Sequence, residues 1–378
     1  MKSSKKTKVI VAMSGGVDSS IAALLMKEKG YDCIGVFLKC WSPSKTFSGE
    51  CQWKSERRFA QKICDKLDMP LITVDAEKEY RTYVIDEMFK DYQKGITPNP
   101  DVLCNEAVKF PFLLREAKKF HADYVVTGHF ARIKKSKNKV YMYRAKDEFK
   151  DQSYFLYRLK EADLKKVLFP IGEYTKEQVR KIAKENGFLN HEKKSTVGIC
   201  FIGKTNMKDF LKTKIKPKKG NILDTNGNII GTHDGVYYYT IGQRLRPKIG
   251  LKIPKSTDNP KLMSKWYVAK KDIKKNILIV APEGNKNLLK NSFEILEFHL
   301  ITDSVPDFKK SISKKAKLVH ARIRHVGELI PALISYDKKT KKTSLKLKKK
   351  LTGVSDGQAV IIYQGKKVLG GGVISESA

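Results

Sequence analysis

The chain has 378 residues, 41% of them hydrophobic, which suffices for two or three folded domains with substantial cores. Lysine and arginine number 76 against 40 aspartate and glutamate residues, which gives a formal net charge of +36. That excess favours a polyanionic partner such as nucleic acid, although a general lysine bias of the surface explains it equally well. No stretch reaches the roughly 18 consecutive apolar residues of a membrane helix, and no apolar segment follows the short basic N-terminus as in a signal peptide. We therefore expect a cytoplasmic protein without a membrane partner.

The first structured stretch predicts a strand, a glycine turn and a helix. A β-branched run at residues 9–11 leads into Ser-Gly-Gly at 14–16, and apolar residues at helical spacing follow over 19–29. Adjacent glycines let the backbone approach a ligand closely, and a helix N-terminus attracts phosphate. Neither the lysine of a Walker A loop nor the dinucleotide glycine pattern is present in this stretch. The turn is therefore predicted to hold a phosphate with backbone N–H groups.

The next elements predict a parallel sheet with helices on both faces. Residues 33–38 and 70–74 are apolar runs typical of strands, and residues 55–67 form a basic amphipathic helix between them. Ligands of such sheets bind beyond the carboxyl ends of the strands. Leu38, at the end of the second strand, is thus placed to touch a nucleotide base.

Two later segments carry residues suited to nucleotide or RNA contact. A fourth predicted strand, residues 123–129, ends in Gly128 and His129. Glycine permits a close nucleotide approach there, and the imidazole can reach a phosphate or a base. Residues 150–156 mix charged, amide and aromatic side chains, which suits contacts with phosphate, base edge and ring face.

The six cysteines contain no C-x-x-C pair, which indicates a reducing compartment and individually placed thiols. They lie at positions 33, 40, 51, 64, 104 and 200. Cys104 follows a segment, residues 95–103, in which two prolines predict a stiff loop rather than a helix, and a helix should begin near Asn105. The helix dipole there favours a thiolate, although a packing role is equally compatible with the residues. Cys200 lies in a short apolar segment between two glycines, which suits a thiol presented at a pocket.

The second half of the chain changes from mixed to β-rich patterns. A capping box at Thr175 and Gln178 begins a helix that stops at Gly187, and residues 214–220 then read as a basic linker. Beyond it, short β-branched and aromatic runs are separated by glycine turns. These runs are residues 229–231, 235–240, 266–269, 277–280, 316–324, 332–336, 343–347, 359–363 and 368–374.

These patterns predict three domains. Their expected limits are residues 1–213, 214–284 and 285–378, and the last domain is expected to be an all-β barrel. Its lysine-rich segment, residues 338–350, faces either RNA or solvent, since lysines also protect strand edges from aggregation.

Seven motifs resemble a single family when they are taken together, and the match runs along essentially the whole chain, from Val9 to Ile374. They are S-G-G-x-D-S-S at 14–20, T-P-N-P-D-x-x-C-N at 97–105, T-G-H at 127–129, K-D-Q-S-Y-F-L at 150–156, G-I-C-F-I-G at 198–203, Y-x-T-I-G-Q-R at 238–244 and G-G-G at 370–372. The set resembles the tRNA-specific 2-thiouridylase family (MnmA, or TrmU in mitochondria) of PP-loop ATP pyrophosphatases. The resemblance implies an α/β protein with a Rossmann-like, parallel-sheet PP-loop domain of the adenine nucleotide alpha hydrolase type, a small β-rich central domain and a C-terminal β-barrel.

The resemblance also implies an activity. Members of this family are ATP-dependent tRNA uridine 2-sulfurtransferases, which adenylate the C2 oxygen of the wobble uridine at position 34 and replace it with sulfur. The implied cofactors are ATP and an assisting Mg²⁺, with no metal site built by the protein alone. The implied partners are the tRNAs for Lys, Glu and Gln and a relay protein or cysteine desulfurase that donates a persulfide, and the chain is expected to act as a monomer.

By the same resemblance, residues of three functional classes can be assigned. Cys200 carries the sulfur as a persulfide, Cys104 is its partner nucleophile and forms a transient disulfide with it, and Asp101 is a general acid or base. The ATP-binding residues are Ala12, Met13, Ser14, Gly15, Gly16, Val17, Asp18, Ser19, Leu38 and Gly128. The tRNA-binding residues are Asn99, Pro100, Asp101, His129, Lys150, Asp151, Gln152, Arg322, Ile323 and Gln358. Whether Cys104 frees a hydrosulfide or resolves a disulfide after direct attack stays open.

The sequence departs from the family pattern at two places, and three other functions stay possible. Ile323 replaces an aromatic residue, and the residues after Arg244 read Leu-Arg-Pro-Lys rather than Lys-Gly-Leu-Gly. The other functions are a PP-loop ligase of a small carboxylate or carbonyl compound, a non-catalytic RNA-binding protein with a degenerate nucleotide fold, and an iron–sulfur thiolase with Cys40, Cys51 and Cys64 as cluster ligands. The intact PP-loop argues against the second, and the lack of C-x-x-C spacing argues against the third.

Overall fold

The structure is a computed structural model, and it describes residues 6–42, 51–193, 202, 206–245, 265–302, 306–325 and 327–375. Within these ranges the chain forms three β-sheets, of five, five and eight strands. None of the helices found in these ranges has the length and apolar character needed to cross a membrane.

The N-terminal part of the chain alternates strands and helices, as predicted. Its strands are β1 (Lys8–Ala12), β2 (Asp32–Lys39), β3 (Leu71–Asp75), β4 (Tyr124–Val126), β5 (Ala131–Ser136), β6 (Lys139–Arg144) and β7 (Val167–Leu168). Its helices are α1 (Val17–Glu28), α2 (Gln52–Lys66), α3 (Glu77–Tyr80), α4 (Glu87–Gln93), α5 (Pro100–Leu103), α6 (Phe110–Lys119), α7 (Glu161–Leu164) and α8 (Lys176–Glu185). π-helical turns at Arg81–Asp86 and Cys104–Lys109 keep the backbone helical from α3 into α4 and from α5 into α6.

Five of these strands form a parallel sheet in the order β3-β2-β1-β4-β7. Alternate side chains of β1 enter different cores, since Val9 and Val11 pack on the face that carries α1 and Ile10 packs on the opposite face. The predicted parallel sheet with two covered faces is thereby confirmed. From β1 the chain adds β2 and β3 on one side of the sheet and then β4 and β7 on the other side. The crevice beyond the carboxyl ends of β1 and β4, where this order switches, is the expected ligand site.

The prediction of an irregular loop over residues 95–103 is wrong, because α5 begins at Pro100. Proline suits the first position of a helix, where its missing N–H would have no partner in any case. Asn99 caps this helix by accepting the Val102 N–H at 3.3 Å. Cys104 consequently lies one turn inside a helical segment, and its side chain is fully buried.

The central part of the chain forms the second five-stranded sheet. It follows helix α9 (Met207–Lys212) and comprises β8 (Gly220–Leu223), β9 (Ile229–His233), β10 (Arg244–Leu245), β11 (Trp266–Asp272) and β12 (Ile277–Pro282) in the order β10-β11-β12-β8-β9. A strand over residues 235–240 is predicted wrongly, since Val236–Tyr238 forms a 3-10 turn. The hydroxyls of Tyr237 and Tyr238 donate to backbone carbonyls of the preceding linker, and these bonds hold the turn.

The C-terminal part forms the predicted barrel. Its strands are β13 (Leu289–Leu300), β14 (Lys317–Arg322), β15 (Ile330–Asp337), β16 (Lys342–Thr352), β17 (Ala359–Gln364) and β18 (Lys367–Ser375). They follow the order β13-β16-β15-β14-β17-β18, and pairing of β18 with β13 closes the ring.

Two features of the barrel differ from the all-β expectation. Helix α10 (Pro306–Lys314) lies against it, and Ile312 of this helix is buried in the barrel core. The hairpin β5–β6, which belongs to the N-terminal part, extends the barrel sheet beyond β18, where the Arg144 N–H donates to the Lys366 carbonyl at 2.9 Å. One continuous sheet therefore contains strands from both the N-terminal and the C-terminal parts of the chain. The domain limits stay a prediction.

Candidate active site and adjoining cavity

The predicted phosphate-binding loop between β1 and α1 forms a compact turn at a helix N-terminus. Gly16 is the N-cap of α1 and has no side chain that could occupy the first N–H groups of the helix. The Ser19 hydroxyl donates to the Gly16 carbonyl at 3.0 Å and accepts the Ser14 N–H at 3.2 Å. These bonds fold residues 14–19 into a compact turn at the positive end of the helix dipole, which favours a phosphate.

At two positions near this loop, another backbone segment lies so close that only glycine, which has no Cβ, fits. Gly15 has φ +72°, and a Cβ there would lie 2.3 Å from the Glu56 carbonyl oxygen. A Cβ on Gly128 would lie 2.6 Å from the Ser19 backbone nitrogen. The end of β4 thus lies directly against the first turn of α1, and the structure brings Gly128 together with the predicted ATP-binding loop.

The other predicted ATP-binding residues border the same crevice. Ala12 ends β1 and is half-buried, and the Met13 N–H donates to the Val36 carbonyl at 2.8 Å. Val17 begins α1, and Leu38 lies one residue before the end of β2 in the hydrophobic core. Their contact with a nucleotide stays a prediction.

Two lysines that the motifs do not contain lie against this loop. Lys176 Nζ is 2.5 Å from the Asp18 carboxylate, and Lys193 Nζ is ion-paired with Glu56 and lies 3.4 Å from the Gly15 carbonyl oxygen. A Walker A loop carries its own phosphate-binding lysine, whereas here two distant segments provide the positive charge. No sequence spacing signals this arrangement, because Asp18 and Lys176 are 158 residues apart.

The Lys176 side chain is ion-paired with Asp18 and largely shielded from water. It is the first residue of α8, whose predicted capping box is confirmed by the Gln178 N–H donating to Thr175 Oγ1 at 3.2 Å and by the reciprocal bond of 2.8 Å. Burial lowers the pKa of the Lys176 ammonium, and the neighbouring Asp18 carboxylate opposes that shift. An anionic phosphate would supply a second partner for this ammonium.

The segment before Cys104 contacts both of the other parts of the chain. The Thr97 N–H donates to the Asp356 carbonyl of the barrel at 3.0 Å, and the Thr97 hydroxyl is 3.3 Å from the Thr240 hydroxyl, which precedes β10. On the other side, Asn105 donates through its amide to the carbonyls of Asp101 at 3.1 Å and Phe155 at 3.3 Å. The position of Cys104 therefore depends on contacts with all three parts of the chain.

Cys200 lies outside the described residues, so its proximity to Cys104 stays a prediction. The flanking described residues are Lys193, whose ammonium lies at the Gly15 carbonyl, and Ile202. Ile202 is buried in the same hydrophobic core as Cys104.

Three predicted tRNA-binding residues line one cavity of ≈ 200 Å³ between the Cys104 segment and the barrel: Asn99, Ile323 and Gln358. Pro100 and half-buried Asp101 follow Asn99 in the first turn of α5. Lys150 is exposed, and Gln152 accepts the Phe130 N–H at 2.9 Å. Their contact with tRNA stays a prediction.

Asp151 and Arg322 contact each other in the protein interior. Arg322 Nη1 lies 2.8 Å from the Asp151 carboxylate, and the exposed side-chain fractions are 2% and 0%. Arg144 of β6 adds a second, longer contact of 3.4 Å to the same carboxylate. The pair therefore ties the segment after β6 to β14, and any direct contact with tRNA requires it to open.

Replacing Asp151 by asparagine should lower the free energy of unfolding by about 3–5 kcal/mol, because Arg322 would remain buried without a counter-charge. Denaturant unfolding followed by circular dichroism measures the loss. The double variant Asp151→Asn/Arg322→Met should recover most of it, since an apolar side chain tolerates the interior. An unfolding midpoint of the single variant equal to that of the wild type would contradict the structural role of the pair.

His129 is buried beside the sheet and carries no charge near neutral pH. Its Nδ1 lies 2.7 Å from the Thr127 hydroxyl, and its ring stacks on Phe110 with 5.8 Å between centroids. Burial lowers the pKa of His129 well below 6.5, with a smaller effect of the Lys109 charge. A tRNA contact of this ring would therefore be a hydrogen bond or a stacking contact rather than an ion pair.

Acid should destabilise the protein through His129. The unfolded state has the ordinary histidine pKa near 6.5, so below that pH it binds more protons than the folded state. The stability that neutral His129 contributes to the folded state is therefore fully present above pH 6.5. Below pH 6.5 this free energy falls by up to about 1.4 kcal/mol per pH unit, until the pKa of His129 in the folded state is reached. Urea unfolding between pH 7 and pH 5 should show a shallower loss for His129→Gln than for the wild type, whereas equal slopes would contradict this.

The remaining cysteines do not form a common site. Cys40 and Cys64 belong to hydrophobic cores on opposite faces of the parallel sheet, and Cys51 is half-buried at the start of α2. Among the described residues, no group of three or more His, Cys, Asp or Glu side chains is arranged to hold a metal ion. Burial raises the pKa of Cys64 to about 12 and that of Cys33 to about 11, so both are protonated thiols at neutral pH.

Full-length relatives decide the family. The chain is 39% identical over 380 residues to the tRNA-specific 2-thiouridylase MnmA of Enterococcus faecalis. The aligned region covers 100% of this chain and 97% of that protein. The enzyme of the same name from Bacillus licheniformis is 40% identical over 377 residues, covering 99% and 96%. The chain belongs to the tRNA-specific 2-thiouridylase family. The family predicted from the motifs is thereby confirmed.

Three protein-family models, each for one domain, match consecutive parts of the chain. They are described as a tRNA methyl transferase HUP domain (residues 7–204), a tRNA methyl transferase PRC-barrel domain (208–282) and an aminomethyltransferase beta-barrel domain (295–374). Together with the observed sheets they confirm the predicted fold class. A solved 4-thiouridine synthetase–RNA complex with bound ATP is 18% identical, with a TM-score of 0.34 over 52% of this chain and 46% of that one, a likeness too distant to support a function.

Proposed function

We propose that this protein is an ATP-dependent tRNA uridine 2-sulfurtransferase that converts the wobble uridine at position 34 to 2-thiouridine. The observation that carries the proposal is the combination of a complete glycine loop at the N-terminus of α1 with the buried Cys104, in a chain 38–40% identical over its full length to 2-thiouridylases. The words "methyl transferase" in the domain descriptions do not outweigh this, because the full-length relatives are named for thiolation.

ATP would bind with its phosphates at the N-terminus of α1. Backbone N–H groups of residues 14–19 donate to the phosphate oxygens, and Lys176 and Lys193 balance their charge. Mg²⁺ in nucleotide sites is held by one or two carboxylates together with the phosphates, and the Asp18 carboxylate, 32% exposed beside the loop, fits that need. Bound there, Mg²⁺ would supply charge neutralisation on the phosphates.

Adenylation solves a leaving-group problem. The C2 carbonyl of uracil is a weak electrophile, and oxide cannot depart from it. Attack of uridine O2 on the α-phosphorus of ATP forms an O–P bond and releases pyrophosphate, whose charge the loop and the lysines stabilise. The oxygen can then leave within AMP when sulfur adds to C2. Asp101, in the first turn of α5, would transfer the proton of the base.

Sulfur would come from a persulfide on Cys200, with Cys104 as the second thiol. In one route the Cys104 thiolate attacks Cys200 Sγ, which forms the disulfide and frees hydrosulfide for attack on C2. In the other route the terminal persulfide sulfur attacks C2, AMP leaves, and Cys104 then breaks the bond between Cys200 and the thiolated base. Both routes end with a Cys104–Cys200 disulfide, which an external thiol must reduce before the next cycle.

The proposal extends to the partners that the family resemblance implies. The substrates are the tRNAs for Lys, Glu and Gln, the persulfide donor is a relay protein or a cysteine desulfurase, and the protein acts as a monomer in the cytoplasm. The net charge of +36 supports binding of a polyanion of this size.

Nucleoside mass spectrometry of unmodified tRNA for Glu, incubated with the protein, ATP, Mg²⁺ and a sulfide source, tests the proposal. We expect 2-thiouridine with ATP, and none with α,β-methylene-ATP, whose α–β bond cannot be broken, or with a tRNA that lacks uridine at position 34. Adenylation of a small carboxylate without thiolation of tRNA would favour a PP-loop ligase and overturn the proposal.

A further inference from the structure

We propose that the groove between α8 and residues 188–193, which we call the α8 groove, is the docking surface for the protein that delivers the persulfide sulfur. The groove would receive an acidic segment of that protein. This inference rests on the proposed function. It assigns Lys184 and Leu189 to recognition of the sulfur donor, and neither residue belongs to the seven motifs.

The α8 groove is an open cleft with a volume of ≈ 710 Å³, which is room for several side chains of a partner. One wall is the exposed face of α8 with Arg180 and Lys184, and the other wall includes His191. This second wall continues to Lys193, which precedes Cys200 by seven residues, a length of chain that spans at most about 25 Å. A protein bound in the groove therefore lies near the start of the segment that carries the receiving thiol.

Hydrogen bonds hold the second wall in place. The Arg180 guanidinium donates to the carbonyls of His191 at 2.7 Å and Lys193 at 2.9 Å. The Asn190 side chain, which is 1% exposed, donates to the Gly15 carbonyl of the predicted phosphate-binding loop at 3.2 Å. The groove is therefore preformed, which reduces the conformational entropy that is lost when a partner binds.

The α8 groove and Cys104 belong to opposite faces of the parallel sheet. The buried side of α8 packs through Val179 and Ala183 into the core that also contains α1, whereas Cys104 belongs to the core on the other face. The cavity lined by three predicted tRNA-binding residues lies between the Cys104 segment and the barrel. A tRNA bound at that cavity would leave the outer face of α8 open to a second macromolecule.

The charges of the α8 groove suit an acidic protein segment better than RNA. Its lining contains three cations, Arg180, Lys181 and Lys184, and two carboxylates, Glu177 and Glu192. The carboxylates would repel the phosphates of an RNA backbone, whose spacing is fixed. A protein can place its own carboxylates opposite the cations and polar groups opposite the glutamates, which is the electrostatic complementarity of specific interfaces.

Leu189 offers an apolar contact next to these charges. It is 70% exposed and lies in the segment that forms the second wall. An apolar centre with a polar rim is the usual arrangement of a protein–protein interface. We expect Leu189 to be covered when the sulfur donor binds.

Docking at this surface would serve a transfer between two thiols. The Cys200 thiolate attacks the outer sulfur of the donor persulfide, a new sulfur–sulfur bond forms, and the bond between the two donor sulfurs breaks. The donor leaves as a thiolate and the transferred sulfur keeps its proton, so the step needs no oxidant or reductant. Hydrosulfide added to the solution attacks the adenylated base directly and bypasses this step.

Thiolation with two sulfur sources tests the docking surface. The tRNA for Glu is thiolated with ATP and either sodium sulfide or cysteine plus a cysteine desulfurase that sustains the wild type, with its relay protein where one is required. Lys184→Glu and Leu189→Asp should each lower the rate at limiting donor by about tenfold or more, because a carboxylate would face the acidic partner. The rate with sulfide and the dissociation constant for tRNA should stay at the wild-type values.

Matched variants on other surfaces are the controls. Lys118→Glu reverses an exposed charge on α6, which covers the Cys104 face, and Leu318→Asp changes a leucine of β14 that is 64% exposed. Both should thiolate tRNA as the wild type does with either source.

Three results would contradict the account. Wild-type rates of Lys184→Glu and Leu189→Asp with the protein donor would overturn the docking surface. Equal losses with both sulfur sources would overturn it too, and a raised dissociation constant for tRNA would then assign the groove to RNA. A wild type that thiolates tRNA with neither source would overturn the proposed function.

Discussion

Replacing Cys200 by alanine should abolish 2-thiouridine formation, and replacing Cys104 by alanine should do the same under conditions where the sulfur is supplied as a protein persulfide. Both routes need the Cys200 sulfur as carrier and the Cys104 thiolate as nucleophile, so the loss should exceed about 10³-fold. Pyrophosphate release from ATP in the presence of tRNA should continue in both variants, because neither thiol takes part in adenylation.

The two routes for sulfur separate in a second assay. If free hydrosulfide is the nucleophile, added sulfide should restore thiolation to Cys104→Ala. If the persulfide attacks directly, the variant should instead accumulate tRNA covalently bound to Cys200 through sulfur. Cys33→Ala is the matched control, since burial raises the pKa of this thiol to about 11 and leaves it unreactive. Full thiolation by Cys200→Ala with the protein persulfide as the sole sulfur source would contradict the role of Cys200 in either route.

Replacing Lys176 by methionine should reduce adenylation about 100- to 1,000-fold, the usual effect of removing one preorganised group that stabilises transition-state charge. The variant keeps an unbranched apolar chain of similar length, but it leaves the Asp18 carboxylate without its partner at 2.5 Å. Pyrophosphate release with saturating tRNA measures the rate.

Lys181→Met is the control for Lys176, because it lies on the same helix with 75% of its side chain exposed. It should release pyrophosphate at the wild-type rate. A Lys176→Met variant that does so too, with an unchanged unfolding midpoint, would show that the lysine only packs against the loop.

Local patterns predicted the first strand, glycine turn and helix well because all of their signals lie close together in the sequence. The β-branched strand, the paired glycines and the apolar spacing of α1 each act over a few residues, and the helix begins only two residues before its predicted start. The capping box at Thr175 is a similar case, because both of its bonds join residues three apart.

Contacts between distant segments could not be predicted in this way. The ion pair of Lys176 with Asp18 spans 158 residues, and the hairpin over residues 131–144 joins a strand that begins at Lys367. Neither leaves a local pattern, since each depends on how the sheets pack. The start of α5 at Pro100 is an intermediate case, in which proline is compatible with both a loop and the first residue of a helix.

The most direct test follows the uridine oxygen itself. An anticodon stem-loop carrying ¹⁸O at O2 of uridine 34 is incubated with the protein, ATP, Mg²⁺ and a persulfide donor, and the AMP is analysed by mass spectrometry. If the enzyme adenylates O2, each 2-thiouridine formed should be matched by one AMP that contains ¹⁸O. Formation of 2-thiouridine with unlabelled AMP would contradict adenylation of the base as the step that ATP drives.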